Sequence, residues 1–108
     1  MIRMFWNDGV SNSGIAANDA IEASLDSVLD RFFDLSEDED SFLGLEKPDD
    51  EVVQFAYLRD NIWLVDIPVP AEGGSYVKEC EYRDCVDIIK RYYTDSWEIP
   101  SQFVLQKW

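Results

Sequence analysis

Histidine is absent from this 108-residue chain, and cysteine, proline and glycine number only two, four and five. Without histidine there is no Ser–His or Cys–His pair to activate a nucleophile in the usual way. Two thiols, Cys80 and Cys85, with no imidazole do not make a four-ligand zinc site by themselves. No Gly-x-Gly-x-x-Gly and no phosphate-binding loop occurs, and Gly73-Gly74-Ser75 reads as a turn. Long apolar runs are missing as well. The N-terminus, Met1-Ile2-Arg3-Met4-Phe5-Trp6-Asn7-Asp8, lacks one of signal-peptide length, and no stretch is long enough to span a bilayer. The expectation is a cytoplasmic protein whose two thiols stay reduced. Positive charge is also scarce, with 9 basic against 23 acidic residues and a net charge of -14. Phosphates and anionic lipids would be repelled, so neither nucleic acid nor membrane is expected as a partner, and a basic protein is.

Apolar material is plentiful at 46% of residues, with 14% aromatic, enough for one core in one domain over residues 1–108. Ile2 to Trp6 reads as a first strand, followed by a polar loop to Gly14. Asn18 or Asp19 is placed to cap a helix, and Ala20, Ile21, Leu25, Val28, Leu29, Phe32 and Phe33 recur at helical spacing, which predicts a helix over 18–34. Phe42 to Leu45, Val52 to Leu58, Ile62 to Ile67 and Ser75 to Tyr82 read as strands, with Arg59-Asp60-Asn61 as a hairpin turn. Pro68 and Pro70 are expected to end the third of these. Asp84 is placed to cap a second helix carrying Val86, Ile88, Ile89, Tyr92 and Tyr93, and Phe103 to Trp108 reads as a last strand. The order β-α-β-β-β-β-α-β predicts an α+β fold, a largely antiparallel sheet with two helices packed on it.

The negative charge is concentrated. Residues 34–51 hold nine acids and one base, a net of -8. Asp34, Ser36, Asp38 and Asp40 alternate like the start of a calcium loop, but Glu39 stands where glycine is needed and Leu45 where the closing glutamate belongs. The segment therefore reads either as a solubilising surface or as an electrostatic docking surface, in which clustered carboxylates raise the association rate with a basic partner. On the second reading Glu37, Asp38, Glu39, Asp40, Asp49 and Asp50 are the candidate partner-binding residues, and their side chains are expected to be exposed. Tyr57, Trp63 and Tyr76 lie on predicted strands, where core packing is the first expectation and interface anchoring the second. Cys80 and Cys85 bracket a strand-to-helix turn and read as structural, Cys85 packing in the first turn of its helix. No cofactor, metal or catalytic group is expected.

The C-terminal half resembles the bacterial immunity proteins of polymorphic toxin systems, in particular the first family of the Imm series. The matching features are the hairpin, the Ile67-Pro68 strand end and the Gly74-Ser75-Tyr76 opening. They continue with the aromatic-bearing helix Ile88 to Tyr93 and the closing segment Ile99-Pro100 through Val104 to Trp108. The resemblance implies a cytoplasmic antitoxin that binds one cognate toxin domain, commonly a nuclease, and blocks its active site or substrate path. Two other readings stand beside it: an acidic adaptor or nucleic-acid mimic that occupies a basic host protein, and a small enzyme.

Overall fold

Alternation of buried and outward side chains is most regular over residues 52–69, and these form the middle of the sheet. In the computed structural model, which describes residues 1–108, β5 (Val52–Arg59) and β6 (Ile62–Val69) make an antiparallel hairpin. Val53, Phe55 and Tyr57 share one face with Trp63, Val65 and Ile67, and all six are buried. Asp60 and Asn61 make the turn with φ of 47° and 64°, the left-handed pair that a two-residue hairpin loop requires and that Asp and Asn tolerate.

The remaining strands are added outward from this hairpin. β4 (Phe42–Glu46) pairs with β5, and β1 (Arg3–Asp8) pairs with β4. On the other side β7 (Gly74–Glu81) pairs with β6, and β8 (Val104–Lys107) with β7. Two short strands share the outer edge of β1: β2 (Ser13–Ile15) covers Trp6 to Asp8, and β3 (Ile21–Glu22) covers Arg3 and Met4. Every pairing is antiparallel. Two helices, α1 (Leu25–Asp34) and α2 (Tyr82–Tyr92), complete the α+β fold that the sequence predicts. No helix is long and apolar enough to cross a membrane.

Both helices pack on the face that carries Val53, Phe55 and Trp63. Val28 and Phe32 of α1 and Cys85, Ile88, Ile89 and Tyr92 of α2 join those side chains in one buried cluster. Leu25 and Leu29 are half-buried and pack against its rim, so the predicted register of α1 holds. Its start does not. The helix begins at Leu25, capped by the Ser24 hydroxyl, which accepts from the Ser27 N–H at 3.2 Å. Ile21, expected on the buried face of the helix, instead pairs with Met4 in the sheet and is 47% exposed. The free edge of β1 offers ladder hydrogen bonds over a segment whose helical spacing continues for only one more turn, and tertiary pairing overrides propensity. Likewise the loop expected over residues 7–14 contains the end of β1 and the start of β2. α2 starts at Tyr82 with Glu81 before it, and Asp84 lies in the first turn, where it complements the helix dipole rather than capping. Pro68 lies inside β6, not at its end, at a position where β6 has run past its last partner on β5.

The opposite face has no helix over it. Strand alternation places Phe5, Phe42, Ala56, Leu58, Leu64, Val77 and Val104 there. Phe5 is nonetheless buried, because its ring lies over Gly44, where any Cβ would collide with it. One carboxylate oxygen of Asp66, on the same face, is buried without a hydrogen-bond partner.

Candidate functional site

The acidic segment begins where α1 ends, and a single carboxylate organises it. Asp8, at the end of β1, accepts at Oδ1 from the main-chain N–H of Val10 and Ser11, both at 3.0 Å. At Oδ2 it accepts from the Ser36 N–H at 2.9 Å and the Ser36 hydroxyl at 3.0 Å. The hydrogen bonds from the Ser11 and Ser36 main chain hold the Asp8 carboxyl far below the ordinary carboxylate range. The buried Ser41 closes the same junction: its hydroxyl accepts from the Gly9 N–H at 2.9 Å, and its carbonyl accepts from the Tyr57 N–H at 3.0 Å. Asn7 Nδ2 donates to the Asp40 carbonyl at 2.9 Å. The 35–41 loop is thereby fastened at both ends to the turn between β1 and β2.

Within this frame Glu37, Glu39 and Asp40 are exposed. Asp38 is different: it is half-buried beside Gly9, and its Oδ1 accepts from the Asp40 N–H at 2.9 Å, so it shapes the loop as well as charging it. Asp49 and Asp50 lie after β4 rather than before it, about 13 Å away along a five-residue strand. They form the β4–β5 turn, where the Asp50 N–H donates to the Lys47 carbonyl and Asp50 takes a φ of 67°. The six candidates therefore form two groups, Glu37 to Asp40 at one end of β4 and Asp49 with Asp50 at the other. Lys47, the only base of the segment, holds Nζ 4.3 Å from the Tyr92 ring centroid. The three ion pairs of the chain are Arg3–Glu46, Arg59–Glu79 and Arg83–Glu81, so none of the six carboxylates is neutralised internally.

Beside the first group lies an aromatic crevice of about 260 Å³, lined by Phe32, Phe33, Leu35, Glu37, Asn61, Trp63 and Tyr82. It forms where the end of α1, the β5–β6 turn and the start of α2 converge. The Phe32 ring stacks on Tyr82 at 5.1 Å and 9°, and meets Trp63 at 4.6 Å. Phe33 meets Tyr82 edge-on at 6.5 Å and is 74% exposed. Burial, with the charge of Asp34 adding to it, holds the Tyr82 phenol above its ordinary value. Trp63 and Tyr57 are core residues, while Tyr76 is half-buried and donates its hydroxyl hydrogen to Glu72 at 2.8 Å.

The two cysteines are free and buried, and burial pushes both thiols up, Cys85 furthest. That environment is the reverse of a reactive thiolate's. Nothing local in the sequence distinguishes Asp8, Ser36 and Ser41, the fasteners of the acidic loop, from other turn residues. Phe33 was within reach. Leu25, Val28, Leu29 and Phe32 fall on one stripe of α1, and Phe33 falls at its margin, the position a stripe of that width leaves nearest to solvent. Comparison of the chain with protein-family models, curated proteins and solved structures returns no match.

Proposed function

We propose that this chain is an immunity protein, a cytoplasmic antitoxin that binds one cognate toxin domain and inhibits it without catalysing a reaction of its own. One observation carries the reading. The Glu37 to Asp40 loop is fastened by Asp8 and Ser41, yet its carboxylates have no cationic partner within the chain. A surface held in one conformation loses little entropy when a partner arrives. Unpaired like charges on such a surface attract a basic partner over a Debye length and speed the encounter. Phe33 supplies the apolar contact at the edge of that surface, and aromatic anchors beside charged rims are typical of residues that carry binding energy. The resemblance of the C-terminal half to the first Imm family supplies the class of partner, and the charge supplies its sign.

Co-expression with the product of the reading frame immediately upstream tests this. That product alone should arrest growth; together with this chain, growth should recover and the two proteins should purify as one complex. A harmless neighbour, or toxicity that this chain leaves unrelieved, counts against the proposal.

A further inference from the structure

We infer that the crevice between the end of α1 and the start of α2 receives one arginine side chain of a protein partner. The inference rests on the proposed function for the existence of that partner and goes beyond it in naming what the crevice holds. At about 260 Å³ the space suits a single side chain and is too small for a typical cofactor. Four aromatic residues line it: Phe32 and Trp63 are almost fully buried and form its floor, while the exposed Phe33 and the half-buried Tyr82 are the rings an entering cation can reach. Its rim carries Glu37, exposed and outside every ion pair of the chain, and Asp34 lies close enough to bear on the Tyr82 phenol. An apolar occupant would gain from the rings but would desolvate Glu37 without compensation. A cation gains from both. Arginine fits better than lysine, because a planar guanidinium stacks on aromatic faces while its forked N–H groups reach a carboxylate. The wall also holds an unmet donor. Trp63 is 2% exposed and its indole N–H has no acceptor in the chain.

The probe is a blocked tetrapeptide carrying one arginine, compared with the same peptide carrying citrulline, its neutral isostere. The readout is the NMR spectrum of the 15N-labelled full chain, in which the Trp63 indole N–H reports the crevice. The arginine peptide should shift the Trp63 signal saturably, and the citrulline peptide should shift it several-fold less. Glu37→Gln should weaken the arginine effect, and Asp49→Asn, at the far end of β4, should not. Three results overturn the inference: equal shifts from both peptides, no shift at Trp63, or an arginine effect confined to the Asp49 end. If any of these appears while the neighbouring toxin is still neutralised, the crevice assignment fails and the proposed function stands.

Discussion

Asp8 is one charge that converts a run of acids into a defined surface. Its carboxylate satisfies three main-chain N–H groups and one hydroxyl, a role that the neutral acid fills poorly. Because its folded-state pKa lies below the ordinary value of 3.8, the stability it contributes is fully present above that value. It is lost as pH falls from there toward the folded-state pKa. Thermal melts should therefore show the midpoint falling steeply below about pH 4. Asp8→Asn should melt several degrees lower at neutral pH and show a shallower acid decline. Phe32 and Phe33 divide neighbouring positions between core and surface. Phe32→Ala should cost about 3–5 kcal/mol in chemical denaturation, and Phe33→Ala no more than about 0.5 kcal/mol. Both thiols lie on the core side: Cys80 and Cys85 should resist a thiol reagent in the native protein and both react, without prior reduction, once it is unfolded.

At the level of elements, α1 separates what the sequence makes legible from what it does not. Its buried positions Val28 and Phe32 and its flanking Leu25 and Leu29 follow from spacing alone. Its first turn does not, because Ile21 fits the helical pattern and the sheet edge equally, and only the distant Met4 decides between them. The hairpin of β5 and β6 was legible for the opposite reason. Its register is set by adjacent strands and a two-residue turn that carries its own chemistry. β2 and β3 are too short to show a period and exist only because β1 has an edge to cover. The acidic segment was legible as charge, but its partition between the two ends of β4 depends on where a strand lies within it. Ser24→Ala tests the observed helix start: losing this cap should cost about 1 kcal/mol, whereas Asn18→Ala should leave stability unchanged within about 0.5 kcal/mol.

For the whole molecule, charge and architecture fall on different surfaces. The helices cover one face of the sheet, the other is left bare, and the densest runs of unpaired carboxylates, Glu37 to Asp40 and Asp49 to Glu51, flank β4. A chain with a net charge of -14 gains solubility from any acidic residue wherever it lies. A docking surface depends on where the charges are. That difference makes the central claim testable with two charge reversals of equal size. Glu37→Lys with Glu39→Lys alters the fastened loop at exposed positions outside its hydrogen bonds, and Asp49→Lys with Asp50→Lys alters the far turn. The deciding measurement is the association rate of the proposed toxin partner, the product of the upstream reading frame, followed by stopped flow across a salt series. The first pair should slow association by roughly tenfold at low salt, with the difference shrinking as salt screens the rim, and the second pair should slow it far less. Equal slowing by both pairs, or a rate indifferent to both and flat in salt, would show that the fastened acidic loop is not the docking surface.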